Sequence, residues 1–443
     1  MNKKNFWKDT IIVGLALFST MFGAGNLIFP PQIGLFSGDQ WVLGVLGLLL
    51  GGIILPVLAL WAVNNVGDKA QDLMGHVSPW FYNAYYLIGC SFIAMGSTLP
   101  KSAATTHEMA IQPLFPNVPI WVTVIVFFVL VYFFACDPNS VIDKLGKYMT
   151  PILVILLAIV LIKGVISPVG TPVDTGIDNA FGDAILTAYN TGDLTVGIMF
   201  ASVILLDLRR RGYTGAESKK GGYMAGVVSI VVLFAVYGTL TYIGACASGV
   251  YSQDTPQTVL LSGIIQSIMG PVGMACLGGA VALACLTTAV GIGTTCVGFF
   301  YDFFKRKIPY KVLVLIACII GIFMGITGVQ NIVNYVTPIF LVVYPALIVN
   351  TVLGLLNKYL PNDGFYKGGV LMAVVVSLGD AVLSVNPNIG WLQSFMDLFP
   401  FSGLGFAWVV PTIIGMVVGA IICRGKPKYQ PLPDPAEVSA QEK

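Results

Sequence analysis

Long apolar stretches follow one another along almost the whole chain, and only short polar segments separate them. An α-helix needs about 20 mostly apolar residues to cross a bilayer. Twelve such stretches are present, so the pattern predicts an all-α polytopic membrane protein with twelve transmembrane helices. The predicted spans cover residues 10–37, 41–64, 80–110, 118–135, 140–166, 182–208, 222–248, 271–303, 311–328, 331–356, 366–385 and 403–423.

The first predicted span is interrupted in its middle. Its centre reads Phe22-Gly23-Ala24-Gly25-Asn26, and two prolines follow one turn later. Glycine and asparagine are poor helix formers, and unwound backbone at membrane depth is tolerated only where it lines a cavity or is buried in protein. Broken spans are therefore a strong sequence indication of a transporter's binding site. The alternative, which the pattern leaves open, is a kink or a close helix contact through small residues.

The sixth predicted span is interrupted as well. Its interior reads Tyr189-Asn190-Thr191-Gly192-Asp193, which is typical of a turn. Two breaks five spans apart predict two five-helix copies, and an odd number of spans per copy makes the repeats inverted. The predicted divisions are a first repeat, a second inverted repeat, two additional transmembrane helices and a disordered cytoplasmic tail, over residues 1–166, 182–357, 366–423 and 424–443.

Composition and charge agree with this class. Hydrophobic residues make up 56% of the 443 residues and charged residues 10%, whereas soluble domains carry about 25% charged residues. With a cytoplasmic N-terminus, all of the 23 Lys and Arg residues except Lys101 and Lys163 fall at inside ends and loops, as the positive-inside rule requires. The expected location is the cell membrane, with both termini cytoplasmic. The net charge of +2 does not indicate a nucleic-acid partner. The eight cysteines are scattered and do not indicate a metal site.

A broken helix offers two kinds of binding group. The half-helix that begins near Asn26 would direct unpaired N–H groups and a positive dipole toward Gly23, Ala24 and Gly25, where a carboxylate can approach closely. A half-helix that ends at a break offers carbonyl oxygens, which suit a cation or an ammonium group. A ligand with both groups is an amino-acid zwitterion. We therefore expect valine at Gly25 to abolish substrate binding, and valine at Gly415, outside the repeat, to have little effect.

The eighth predicted span contains two adjacent threonines. Sodium is a hard cation and prefers oxygen ligands, which the hydroxyls of Thr287 and Thr288 and the carbonyl of Ala284 could supply. The alternative is that these hydroxyls bond the carbonyls of their own helix, as membrane threonines commonly do.

Few ionisable side chains lie within the predicted spans. Asp193 in the second break either acts on a ligand or caps the half-helix that follows. Lys101 is a lone cation in the outer part of the third span, and its spacing identifies neither Glu108 nor Asp193 as its partner. His76 in a cytoplasmic loop and His107 near the outer end of the third span are expected at the surface, without a metal partner.

Three segments resemble those of a known family. Residues 18–31, FSTMFGAGNLIFPP, resemble the first-span signature of the branched-chain amino acid:cation symporter family. Residues 188–193 resemble that family's sixth-span break, and residues 283–289 resemble its eighth-span segment. The resemblance covers essentially the whole chain. It implies a LeuT-like fold, with a 5+5 inverted repeat and broken helices 1 and 6.

By similarity to sodium-coupled transporters of the LeuT type, the resemblance also implies roles for individual residues. The substrate carboxylate would be held at Gly23, Ala24 and Gly25. The amino group would meet Tyr189 and Thr191, through carbonyl groups or side chains.

The same similarity implies where cations would bind. Asn26 would lie beside a second cation or beside the carboxylate. One sodium ion would be held by residues of the first and eighth spans, namely the carbonyls of Ser19 and Phe22 together with Ala284, Thr287 and Thr288.

The implied function is import of leucine, isoleucine and valine by sodium-coupled symport with alternating access. Sodium would be the coupling ion, and no cofactor is expected. An enzyme is not expected either, because no hydrolytic motif such as H-E-x-x-H is present. Three alternatives stay open: a channel, a non-transporting nutrient sensor of the same fold, and a proton-coupled transporter in which Lys144 or Lys147 of the fifth span occupies the cation site.

Overall fold

The computed structural model describes residues 5–67, 69–136 and 150–430, and over these ranges every regular element is helical. The α-helices run over Phe6–Met21, Ala24–Ser37, Trp41–Leu48, Leu55–Val66, Ala70–Gly75, Phe81–Ile88, Leu99–Thr106, Ile120–Ala135, Thr150–Ile166, Ala180–Tyr189, Asp193–Arg210, Gly215–Ala245, Gln257–Phe303, Tyr310–Gly325, Val329–Leu355, Gly364–Val385, Gly390–Met396 and Val409–Ile422. Wider π-helical turns cover Leu49–Ile54, Gly89–Thr98 and His107–Ile111, and short 3₁₀ turns cover Gly38–Gln40, Asn357–Tyr359 and Ser402–Leu404.

Several of these helices are long and apolar enough to cross a membrane. Five qualify by length and composition, namely the continuous helical stretch Ala24–Val66 and the helices Gly215–Ala245, Gln257–Phe303, Val329–Leu355 and Gly364–Val385. A sixth is the pair Ala180–Tyr189 and Asp193–Arg210, which is bent by 52° at its break. Four shorter apolar helices of 10–17 residues are also present within the described ranges. Large side chains such as Phe133 and Phe323 are about three-quarters exposed, which fits a surface that faces lipid. The polytopic all-α class is thus confirmed, while the number of twelve spans and the inverted repeat stay predictions.

The described chain divides into two compact units whose segments alternate along the sequence. The first unit comprises Met1–Val57, Leu87–Val196 and Met224–Phe340, and the second comprises Leu58–Tyr86, Gly197–Tyr223 and Leu341–Lys443. Both helix breaks and the threonine pair belong to the first unit. The predicted division into repeats rests on internal symmetry, which these units do not test, so it stays a prediction.

Glycines bring two helices of the second unit into close contact. A Cβ atom added at Gly415 would lie 2.5 Å from the carbonyl oxygen of Gly368 and 2.5 Å from the Cγ atom of Met372. Small residues at such a crossing let helix backbones approach each other, and a larger side chain would force them apart. This packing gives a physical reason to expect that valine at Gly415 disturbs the helix pair, contrary to the expectation of little effect.

Both histidines are buried, so their predicted surface position is wrong. His76 is 1% exposed, its Nδ1 atom lies 2.6 Å from the Oδ1 atom of Asp363, and its ring stacks on Tyr366 with centroids 4.7 Å apart. His107 is 6% exposed, and its Nδ1 atom lies 3.0 Å from the hydroxyl of Thr123. A partner on another segment bonds the Nδ1 atom of each ring, which spacing along the sequence could not reveal.

The start of the predicted disordered tail is bonded to other residues of the second unit. The Tyr429 N–H group donates to the Oδ2 atom of Asp363 at 2.6 Å, and the Lys428 ammonium group donates to the carbonyl oxygens of Asn357 and Leu360. Residues 424–430 therefore depart from the prediction. Residues 431–443 lie outside the described residues.

We expect Asp363→Asn to release this part of the tail. Burial raises the pKa of Asp363, but hydrogen bonds from His76 and from the Tyr429 N–H group outweigh it and hold the pKa below its ordinary value. A lowered pKa in the folded state means that the carboxylate stabilises the docked tail fully above its ordinary pKa, and that this contribution is lost as the pH falls through the lowered value. Backbone hydrogen exchange over residues 424–430, measured at neutral pH, should speed up in the variant.

The exposed Asp397 provides the matched control, because among the described residues its side chain bonds only Gln393 of the preceding helix. Asp397→Asn should leave exchange over residues 424–430 unchanged. Equal protection of the tail in Asp363→Asn and in the parent would show that the carboxylate does not hold it.

Candidate functional site

The first break separates two helices that the sequence would otherwise join. Phe22 caps the C-terminus of the helix Phe6–Met21, and Gly23 precedes the helix Ala24–Ser37 with an extended backbone. The carbonyl oxygen of Gly23 accepts the N–H group of Asn26 at 3.2 Å. The first N–H groups of any helix have no partner within it, so those of Ala24 and Gly25 are suited to an anion. The predicted interruption is confirmed.

The second break is a tight turn between Tyr189 and Asp193. Gly192 has a φ of +82°, a backbone conformation that glycine adopts without strain. The Thr191 hydroxyl donates to the carbonyl oxygen of Ala188 at 2.8 Å and accepts the N–H group of Asp193 at 3.3 Å. These bonds end one half-helix and begin the next, so this predicted interruption is confirmed as well.

A hydrogen bond joins the two breaks. The Asn26 Nδ2 atom donates to the Oδ2 atom of Asp193 at 2.9 Å, and it also contacts the carbonyl oxygen of Met21 and the hydroxyl of Tyr237. Asn26 and Asp193 are 1% and 3% exposed. Asp193 therefore both begins a half-helix and ties it to the first break, and the Asn26 side chain is engaged by protein groups.

Lys101 reaches the breaks from the helix Leu99–Thr106. Its side chain is buried, and its ammonium group donates to the carbonyl oxygen of Asn190 at 2.9 Å and lies 5.4 Å from the ring centroid of Phe29. The Asp193 carboxylate interacts electrostatically with this ammonium group. Lys101 thus lies buried beside the second break.

Glu108, the other candidate partner of Lys101, is engaged elsewhere. Its carboxylate accepts the hydroxyl of Thr258 at 2.6 Å and the N–H group of Val329 at 2.9 Å. Of the two carboxylates considered from the sequence, only Asp193 belongs to the surroundings of the lysine.

The two threonines of the eighth predicted span form different hydrogen bonds, one within their own helix and one to the first break. Thr287 donates to the carbonyl oxygen of Ala284 in its own helix at 3.0 Å. Thr288 instead donates to the carbonyl oxygen of Phe22 at the first break, at 3.3 Å. The fold therefore joins the eighth predicted span to the first break through oxygen atoms, a donor set that suits a hard cation. Ser19 is buried in the half-helix that precedes this break.

One narrow cavity connects these groups. Its volume of about 10 Å³ corresponds to about one water molecule, so a larger guest requires the lining residues to move apart. Six of the predicted site residues line the cavity, namely Gly23, Ala24, Gly25, Asn26, Thr191 and Thr288. The remaining predicted residues lie outside its lining, namely Ser19, Phe22, Tyr189, Ala284 and Thr287.

The sequence reasoning missed part of the lining. Lys101, Thr98, Val196 and Ile292 all line the cavity. An ionisable residue inside a membrane segment is a functional hypothesis by default, so the signal for Lys101 was present in the sequence. The threonine and the two aliphatic residues carry no such signal, since many of their kind lie in every span.

Solved structures of transporters share this fold. An Eremococcus coleocola manganese transporter superposes with a TM-score of 0.64 at 13% identity, over 95% of this chain and 97% of that chain. A Na⁺-coupled sialic acid symporter in a substrate-bound outward-open state gives a TM-score of 0.62 at 13% identity, over 93% and 90%. Inward-facing Mhp1 gives a TM-score of 0.58 at 12% identity, over 98% and 94%. At such identities the likeness shows the fold alone.

Sequence comparison is more specific. The branched-chain amino acid permease BrnQ of Haemophilus influenzae is 30% identical over 429 residues, which cover 94% of this chain and 97% of the permease. The branched-chain amino acid permease BraB of Bacillus subtilis is 28% identical over 428 residues, which cover 94% and 95%. The family model described as "Branched-chain amino acid transport protein" matches residues 6–426. The chain therefore belongs to this family, as a multi-pass membrane transporter and not an enzyme.

Proposed function

We propose that the chain imports leucine, isoleucine and valine across the cell membrane as a sodium-coupled symporter that works by alternating access. The observation that carries this proposal is the meeting of two broken helices at one small cavity that also holds apolar side chains. A zwitterion needs a donor group, an acceptor group and an apolar pocket together. The permease names of the relatives BrnQ and BraB support the substrate class.

The carboxylate of the substrate would bind at the first break. The N–H groups of Ala24 and Gly25 begin the helix Ala24–Ser37, where the helix dipole favours an anion. Gly23 and Gly25 have no side chain there, so a ligand can approach the backbone. Val196 and Ile292 of the same cavity would contact the aliphatic side chain of the substrate.

The ammonium group of the substrate would bind at the second break. The carbonyl oxygen of Tyr189 accepts the N–H group of Gly192 at 3.2 Å, and a carbonyl oxygen can accept a second donor. Thr191 lines the cavity beside it. Asn26, through its bond to Asp193, would keep the two halves of the site in register.

Sodium would bind where the eighth predicted span meets the first break. The contact between the Thr288 hydroxyl and the Phe22 carbonyl supports this assignment, with Thr287, Ala284 and Ser19 supplying the other oxygen atoms. Proton coupling is the second candidate, because the cavity holds two buried ionisable groups, Lys101 and Asp193. Lys144 and Lys147, which the sequence offered for that role, lie outside the described residues.

The rest of the proposed organisation follows from the sequence pattern. It comprises twelve spans, with spans 1–5 and 6–10 as inverted repeats and both termini in the cytoplasm. A cavity that must widen before it can hold an amino acid suits a carrier better than a channel, because access then depends on a conformational change. A nutrient sensor of the same fold would bind leucine without moving it.

Uptake of labelled leucine into proteoliposomes tests this proposal. An inward sodium gradient should drive accumulation, whereas a proton gradient of equal size should not. Accumulation with protons alone would replace sodium with proton coupling, and binding without accumulation under either gradient would make the chain a sensor.

The same assay tests the substrate class. Isoleucine and valine should compete with leucine, because one missing methylene in an apolar pocket costs only about 1–3 kcal/mol. Alanine lacks three carbon atoms of the leucine side chain and should compete weakly. Lysine and glutamate should not compete, since their side-chain charges would be buried without a partner among apolar residues. Competition by lysine as strong as that by isoleucine would contradict an aliphatic pocket.

A further inference from the structure

The buried ammonium group of Lys101 is the feature of the cavity that the proposed function does not yet explain. Its side chain is 2% exposed and lies inside the third predicted span, where a charged group is costly unless it is paired or functional. An ammonium group has three hydrogens to donate. Within residues 5–67, 69–136 and 150–430, the carbonyl oxygen of Asn190 accepts one of them, and no carboxylate forms an ion pair with the lysine.

The position of this ammonium group relative to the first break is equally informative. A Cβ atom added at Gly25 would lie 3.4 Å from the Lys101 Nζ atom. Gly25 is the second residue of the helix Ala24–Ser37, whose N-terminus carries a partial positive charge. A buried ammonium group beside a positive helix end is unfavourable by electrostatics, and an anion between them would stabilise both.

We infer that the Lys101 ammonium group is the counter-ion of the substrate carboxylate. This inference rests on the proposed function and deepens it by naming the side chain that recognises the carboxylate of an α-amino acid. The carboxylate lies between the Nζ atom of Lys101 and the N–H groups of Ala24 and Gly25. Asp193 faces the opposite charge of the zwitterion, so the Lys101 and Asp193 charges complement those of the substrate.

The hydrogen bond from Lys101 to Asn190 would also link substrate binding to the second break. Asn190 belongs to the second break, and its side-chain oxygen accepts the hydroxyl of Thr337 at 2.8 Å. A lysine that bonds the second break and pairs with a carboxylate at the first break joins both breaks through the substrate. Occupancy of the site is thereby linked to the relative position of the two broken helices.

A cycle of two ligands and two proteins tests the inference. Leucine and leucinamide differ only in the carboxylate, and Lys101→Met removes the charge while it keeps most of the side-chain volume. In purified full-length protein at fixed sodium concentration and pH, Lys101→Met should weaken leucine binding by about 30-fold or more. It should change leucinamide binding by less than about 3-fold, because the amide has no charge to lose.

Two further variants serve as controls for misfolding. Lys101→Gln keeps a donor for the Asn190 carbonyl. Like Lys101→Met, it should weaken the binding of leucine and leave that of leucinamide nearly unchanged. Lys163→Met makes the same change at an exposed lysine, which bonds Ser167 just after its own helix, and should bind both ligands like the parent. Thermal unfolding of each variant reports whether the fold has survived.

The other outcomes overturn the inference. Equal weakening of both ligands would make Lys101 a packing residue. Tighter binding of both ligands would mean that its ammonium group instead occupies the place of the substrate amino group. A parent protein that binds none of leucine, isoleucine and valine would overturn the proposed function, and this inference with it.

Discussion

Gly25→Val is expected to abolish leucine binding while the protein still inserts and folds. A Cβ atom at Gly25 would lie 3.2 Å from the ring of Phe29 and 3.3 Å from the Cα atom of Thr191. The phenylalanine ring can rotate away, but the threonine backbone cannot. The two methyl groups of valine would therefore fill the cavity and push the two breaks apart. Overpacking of this kind corresponds to about 10- to 100-fold weaker binding, and the lost carboxylate site adds to it.

The matched control is Gly298→Val in the helix Gln257–Phe303. Among the described residues, no atom beyond its chain neighbours and the backbone of its own helix lies within 4 Å of a Cβ atom added at Gly298. The same substitution there should therefore leave leucine affinity unchanged. Binding is measured by equilibrium titration of purified protein, with thermal unfolding as the check on folding. Leucine affinity of Gly25→Val equal to that of the parent would show that the substrate does not bind at the first break.

Weaker sodium dependence of leucine affinity is the expected result for Thr288→Val. The Thr288 hydroxyl reaches the Phe22 carbonyl across the first break, whereas the Thr287 hydroxyl bonds its own helix. Valine keeps the shape of threonine and removes only the oxygen atom. Because coupling between two ligands is reciprocal, weaker sodium binding must appear as leucine affinity that rises less with sodium concentration. Thr287→Val should have a smaller effect, and the double variant should have the largest.

Thr294→Val provides the control within the same helix. The Thr294 hydroxyl donates to the carbonyl oxygen of Gly291 at 2.9 Å, three residues earlier, as the Thr287 hydroxyl does to Ala284. Its removal should leave the sodium dependence of leucine affinity unchanged. A double variant of Thr287 and Thr288 that keeps full sodium activation would assign both hydroxyls to structure, and would favour proton coupling.

The positions of the two helix breaks could be predicted from the sequence because helix disruption is a local property. Glycine, asparagine and aspartate weaken a helix within their own turn, and the surrounding apolar residues mark the depth at which this happens. The polytopic class follows from the lengths of the apolar stretches in the same way. Six of the eleven predicted site residues line the cavity for this reason, since they belong to the breaks or contact them.

The partners of the break residues depended on the tertiary structure. Asn26 and Asp193 are 167 positions apart, and Lys101 and Asn190 are 89 apart. Spacing along one helix identifies only neighbours three or four residues away, so no local pattern could connect these pairs. For the same reason Lys101 could not be assigned a partner before its helix was seen beside both breaks.

Burial and close packing were also decided by the three-dimensional arrangement. Polar residues in predicted loops or at span ends are expected in water, yet His76 and His107 are enclosed because distant segments supply their hydrogen-bond partners. A glycine in an apolar helix gives no sign of whether another backbone lies against it. Gly415 meets Gly368, while Gly298 faces open space. The sequence thus determines where helices form and where they break, through local backbone preference and hydrophobicity, and only the packing of those helices determines which side chains meet.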